Sequence, residues 1–435
     1  MLLVHPPQAP AATPPEPALV VVAPAEWQPL LQPFVETRAR ELPTRFLALE
    51  DALAAQPEGD SPERLKRELY RRWKDEHLGY ALLVGDADVL PVRFMVLDRC
   101  TEPAFHYAFY PSDHYFADLA RADGSFDDWN AERTGFHAQY FGEVRGECHK
   151  DTPIDFDRVS YVPEIAVGRW PVSNAAELAA LVQKTLAWKP LAAAPHALLV
   201  HAPEWIDARP QASALAQAWS AAGFSVARQF FGDAGEVPTP DSTRAALLAG
   251  VDLAVHLGHG SEEGWHRCLG PAERDALAPA HPAVFVSIGC STAHFCNEPP
   301  YQSYVDVAGL VHRGTNAGEV FREPPPAPAP LQSGPRNSSG LGERLLRMPS
   351  GGAVAYIGCA TGAQPCALSL LEGFGGALAR DPALRLGDAW KSALAYYWEH
   401  EHLAELKPDD GWYPPSVFFQ GMKFLFFGDP TLRLR

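Results

Sequence analysis

Positive charge is scarce in this chain: 36 Lys and Arg stand against 53 Asp and Glu, a net charge of -17 over 435 residues. That balance repels phosphate backbones and anionic lipid, so neither nucleic acid nor membrane is expected as a main partner, whereas basic peptide segments are attracted. Long apolar runs are missing as well. No stretch approaches the ~18 residues of a spanning helix, and Met1 to Pro7 has no basic region and is cut by proline before any leader core could form. A cytoplasmic location is the expectation. The seven cysteines, at 100, 148, 268, 290, 296, 359 and 366, are odd in number and never spaced Cys-x-x-Cys, which argues for reduced thiols and against zinc. No Gly-x-Gly-x-x-Gly opens a helix after the first strand, so a dinucleotide enzyme is a distant reading.

What the chain does have is concentrated between Leu253 and Phe295. Leu253-Ala254-Val255-His256-Leu257 breaks into Gly258-His259-Gly260, and Ala283-Val284-Phe285-Val286-Ser287-Ile288-Gly289 ends at Cys290. Short apolar runs closed by glycine read as buried parallel strands, and in open α/β sheets chemistry gathers where strands end. Both runs then deliver a reactive side chain to one edge. A thiol beside an imidazole is a nucleophile and its base, and the Gly260 and Cys290 amides are placed to face a developing oxyanion. His256, three residues earlier, reads as packed. His294 and Cys296 have no second spaced pair to make a metal site with His259, and Cys359 and Cys366 read as packing near the next strand end.

Along the rest of the chain, residues 1 to 17 are Pro and Ala without period, a disordered lead-in. Ala18 to Ala23 and Tyr80 to Val84 read as strands; Ser61 to Glu76 and Val172 to Trp188 read as helices. Pro190 to Pro195 reads as a linker, which divides the chain into an α/β unit at 18 to 190 and a second at 191 to 435. In the second unit strands and helices alternate, which predicts a mostly parallel sheet with helices on both faces. Asn297 to Gly340 is a 44-residue stretch holding eight prolines. Loops of that length are usually functional or disordered.

At these residues the sequence resembles the gingipain-type cysteine peptidases, relatives of the caspases. The matching pieces are His256-Leu257-Gly258-His259-Gly260-Ser261-Glu262 with Trp265, Val286-Ser287-Ile288-Gly289-Cys290, Gly351 to Gly358 and Phe427-Gly428-Asp429-Pro430. Upstream, Leu82 to Asp86, Ser112 to Phe116 and Pro163-Glu164-Ile165-Ala166-Val167-Gly168-Arg169 match too. The resemblance implies an α/β, caspase-like three-layer fold of two abutting sheet-and-helix subdomains. It also implies a cysteine endopeptidase acting on protein or peptide substrates, with no cofactor needed for catalysis. It places the acid that orients His259 at Glu204, and the acid that receives a substrate Arg at Asp207. A structural calcium would sit on Asp86 and Glu164, with Ser160 standing where a further acidic ligand is expected, after a polar segment running to about Val159. The stretch 297 to 340 replaces a shorter connection. It is expected to cover the dyad or to be cut by an activating protease to mature the enzyme, at Arg313, Arg322 or Arg336 if Arg is preferred, with a role in intracellular signalling or defence. The rival reading from another class is a scaffold that keeps the fold and binds a partner without cleaving it.

Overall fold

The computed structural model describes residues 16–98, 107–127, 129, 159–202, 204–232, 238–322, 325–406 and 417–435. The expected lead-in lies outside these up to residue 15, as do most of the polar segment before Val159 and both Cys100 and Cys148. Ten strands form one sheet: β1 (Ala18–Ala23), β2 (Thr44–Ala48), β3 (Leu78–Val84), β4 (Ala166–Trp170), β5 (His196–His201), β6 (Ser225–Phe230), β7 (Leu253–Leu257), β8 (Ala283–Ser287), β9 (Ala353–Cys359) and β10 (Phe424–Gly428). Their order across the sheet is β2-β1-β3-β4-β10-β9-β8-β7-β5-β6. Every neighbouring pair is parallel except β9 and β10, which run antiparallel. The sheet is therefore two parallel halves of opposite direction, and the last strand of the chain joins the half built by the first four.

The strands form where the sequence is continuously apolar and β-branched. Both faces are covered, so the runs carry no polar alternation: β7, β8 and β9 are buried at every residue. Helices supply the cover. Ser61–Glu76 starts as its Ser-Pro-Glu opening predicts, although the capping side chain is Asp60, one residue earlier, which accepts the Glu63 N–H at 3.1 Å. Ala175–Ala187 is capped by Asn174 as read. Helices Leu368–Arg380 and Leu386–His400 pair closely, and the short helix Leu341–Arg347 leads into β9.

The consequence for function is positional. β7 and β8 are hydrogen-bonded neighbours with Ser287 opposite His256, so the turns that follow them emerge side by side. The 44-residue stretch does not hang free. It forms the hairpin Tyr304–Val305 with Val311–His312, and its carbonyls at Pro299 and Pro330 accept from the Phe109 and Val92 N–H groups. Among the described residues no hydrogen bond joins it to Cys290 or His259.

Candidate active site

The turn after β7 and the turn after β8 touch through their glycines. A side chain at Gly289 would fall 3.0 Å from the Gly260 nitrogen, and one at Gly260 would fall 2.9 Å from the Cys290 carbonyl oxygen. Only the absence of a Cβ lets the two turns close up. Cys290 is partly exposed, and its sulfur lies 3.3 Å from the Ala363 N–H, which comes from the loop after β9. Ser291, immediately after it, is held at φ +53°, a left-handed conformation costing a branched or ordinary residue of order 1 kcal/mol. That kink turns the chain sharply just after Cys290.

His259 is exposed at the head of its turn, and its Nε2 lies 2.8 Å from the main-chain carbonyl of Glu204. A carbonyl only accepts, so Nε2 carries a proton and Nδ1 is left as the basic nitrogen. This corrects the expectation for Glu204. The residue does hold His259, but through its backbone, because φ of +67° swings the peptide toward the ring. Its carboxylate turns away to Arg267 at 2.9 Å and His266 at 3.5 Å. Glu204→Gln is therefore expected to keep turnover within about threefold of wild type, the modest effect of altering an exposed ion pair. A loss beyond about a hundredfold in steady-state assays would show that the carboxylate itself orients the ring.

Two N–H groups flank this contact. The Cys290 N–H has no acceptor among the described residues. In the small hairpin Gly260–Ser261 with Gly264–Trp265, the His266 N–H donates to the His259 carbonyl, so Gly260 occupies a non-hydrogen-bonded position and its N–H points away from the partner strand. Below them lies a buried polar chain. The Gly289 N–H donates to Ser287 Oγ at 3.2 Å, and Ser287 Oγ lies 2.9 Å from His256 Nδ1. His256 is packed, as read: it stacks on Trp265 with ring centroids 4.7 Å apart, and burial pulls its pKa down to about 3, keeping it neutral beneath His259.

Asp207 does not form an open acidic floor. Both its oxygens are taken at 2.8 Å by Arg209, two residues on in the first turn of helix Arg209–Ala221, and that pairing draws its pKa down to about 2. Strand register separates the two residues expected to share a calcium ion. Asp86 follows β3, where its N–H meets the Val172 carbonyl, whereas Glu164 precedes β4, the parallel neighbour. The two therefore lie at opposite ends of this strand pair. Asp86 instead holds the Arg347 guanidinium, and Glu164 accepts the Leu119 and Ala120 N–H groups. Ser160 gives its carbonyl to His114. These residues do not fit one cation, and among the described residues no group of three or more His, Cys, Asp or Glu is arranged to hold a metal. The five described cysteines are free thiols. No helix among the described residues is long and apolar enough to cross a membrane.

Sequence reasoning missed Ala363, Ser287 and Thr292 as parts of the site. The last two carried a signal, since hydroxyl residues flank the Gly-Cys step on both sides.

Comparison with known proteins agrees with this geometry. The structure superimposes on the crystal structure of the Arg specific cysteine proteinase gingipain R (RGPB) with a TM-score of 0.61 at 16% identity, covering 98% of this chain and 79% of that one. It superimposes equally on the complex of Porphyromonas gingivalis RgpB pro- and mature domains, with a TM-score of 0.61, 15% identity, 96% of this chain and 80% of that one. At such identities the likeness shows the shared caspase-like α/β fold. No curated protein matches the chain. The family model of peptidase family C25 matches residues 12–435, and with a thiol and an imidazole at adjoining strand ends the chain belongs to that family of cysteine endopeptidases.

Proposed function

We propose that Cys290 and His259 carry the hydrolysis, with the Cys290 and Gly260 N–H groups as oxyanion donors. The observation that supports this is the contact of the two turns, which brings together the strand ends that carry Cys290 and His259, with no acceptor for either N–H group among the described residues. His259 Nδ1 takes the thiol proton; the thiolate adds to the scissile carbonyl carbon and the π pair moves to oxygen, where the two N–H groups stabilise it. The imidazolium then protonates the leaving amine, and water, deprotonated by the same nitrogen, releases the acyl group. The Glu204 carbonyl stabilises the imidazolium through Nε2 in each half-reaction.

The finer reading is a preference for Arg before the cut and control by cleavage of the stretch 297 to 340. Support for Arg comes from the likeness to gingipain R, an Arg specific cysteine proteinase, and from the acidic balance of this chain, not from Asp207, which Arg209 already fills. Arg313 and Arg322 are exposed on the 44-residue stretch, while Arg336 is half-buried with its carbonyl bound to the Asn297 N–H. Control by cleavage therefore predicts cuts at the first two. A proteome-derived peptide library digested with the protein gives the residue before the cut, and intact mass of wild type against Cys290→Ala gives the processing sites. A library cut without regard to basic residues would sink the Arg preference. A fully active enzyme with an uncut chain would sink the zymogen.

A further inference from the structure

One side chain lies between the two peptide groups that bracket the oxyanion position. Thr292, two residues after the nucleophile, is fully buried. Its Oγ1–H donates to the Gly289 carbonyl at 3.3 Å. That carbonyl belongs to the Gly289–Cys290 peptide, whose other end is the Cys290 N–H. In a planar trans peptide the two point opposite ways, so fixing the oxygen fixes the direction of the N–H. A hydrogen bond to the carbonyl also polarises the N–H and makes it a stronger donor.

The other branch of the same residue touches the second donor. Thr292 Cγ2 lies 2.5 Å from where a Cβ on Gly260 would stand, so the methyl packs directly against the Gly260 backbone. Two glycines make room for this side chain: Gly260 for the methyl, and Gly358 in β9, where a Cβ would fall 2.8 Å from Thr292 Oγ1. On the same side, Trp265 Nε1 donates to the Tyr356 hydroxyl at 3.2 Å. The Thr292 rotamer is thus held at its hydroxyl by the bond to the Gly289 carbonyl and at its methyl by packing.

We infer that Thr292 is a positioning residue of the oxyanion site: its hydroxyl aims the Cys290 N–H and its methyl sets the distance to the Gly260 N–H. It touches neither substrate nor the reacting sulfur. The inference rests on Cys290 and His259 being the reacting pair, and its test keeps the two ideas apart.

Thr292→Val keeps shape and methyl while deleting the hydroxyl; Thr292→Ser keeps the hydroxyl. The substrate is a peptidyl p-nitroanilide of the best-cleaved library sequence, and the inhibitor is the aldehyde of the same peptide, whose hemithioacetal presents its oxygen to the oxyanion site. Alkylation of Cys290 by iodoacetamide proceeds by direct displacement and forms no oxyanion. In Thr292→Val, kcat is expected to fall about tenfold, a fraction of the ~10²–10³-fold cost of deleting an oxyanion donor outright. KM should stay within about twofold, because the ground-state carbonyl is hardly bound there. Aldehyde affinity should fall in step with kcat, the iodoacetamide rate should be unchanged, and Thr292→Ser should recover most of the loss. Equal kcat in wild type and Thr292→Val overturns the inference, as does an alkylation rate that falls in parallel with kcat. Should the valine variant not fold, Thr292→Ala, which removes hydroxyl and methyl together, should lose at least as much kcat, and a kcat equal to wild type there overturns the inference as well. Turnover surviving in Cys290→Ala would instead overturn the dyad on which the inference rests.

Discussion

Replacing Cys290 by Ala is expected to lower peptide turnover by roughly 10⁴–10⁶-fold, the scale on which hydrolases lose activity when their nucleophile is deleted. The fold should survive the change. The sulfur's described partners are the Ala363 N–H at 3.3 Å and the Ala363 carbonyl at 3.6 Å, both in a surface loop, and the site is partly exposed, so no buried cavity is left. Circular dichroism and the denaturation midpoint should match wild type while cleavage disappears. The double variant Cys290→Ala/His259→Ala should be no slower than the single, because a base without its nucleophile has nothing to activate. Residual turnover within about tenfold of wild type would end the thiol assignment. An inactive wild type whose Cys290 resists a peptidyl chloromethyl ketone would favour the scaffold reading.

The second large effect concerns Arg347, which occupies the place where a cation was expected. Its guanidinium pairs with Asp86 and reaches Glu343 at 3.4 Å and Glu177 at 3.6 Å. It also donates to the Pro171 carbonyl at 2.7 Å and to Ser339 Oγ at 2.8 Å. Asp86 and Glu343 are fully buried. Burial, with Asp86 alongside, holds the Glu343 carboxyl well above the usual carboxylate range, and Arg347 opposes that shift. Arg347→Met is expected to cost about 3–5 kcal/mol, the penalty for leaving a buried charge without its partner. Much of that should return in Asp86→Asn/Arg347→Met, where the carboxylate left without its partner is made neutral. Urea denaturation of the four proteins in the cycle gives the coupling. Additive losses, with no recovery in the double variant, would show that Arg347 acts through packing alone. The network also ties helix Leu341–Arg347 and the end of the 44-residue stretch, through Asn337, to the loop after β3. A lesion here should therefore be felt in both halves of the sheet.

The neighbourhood of Cys290 and His259 was legible in the sequence because it depends on local features. Apolar runs of five or so residues make strands wherever both faces are covered, and glycine closes them, so two such runs in succession bring their ends to one edge. The same local logic marked helices Ser61–Glu76 and Ala175–Ala187 by their caps and proline. Asp207 is a case where the signal lay in plain sight: Arg209 follows at two residues and pairs with it.

Other assignments belong to tertiary structure. Which atom of Glu204 meets His259 is set by one backbone angle, and no residue type announces a φ of +67°. The partner of Asp86 comes from 261 residues away, and Glu164 is removed from it by strand register, which a motif cannot show. Sequence by itself determined that this chain would build a doubly covered sheet ending in a thiol and an imidazole, since period and glycine placement are properties of a few neighbouring residues. Only the folded molecule decided which charges meet and which peptide groups point at the substrate, because those depend on contacts between segments that are distant along the chain and adjacent only once the sheet has formed.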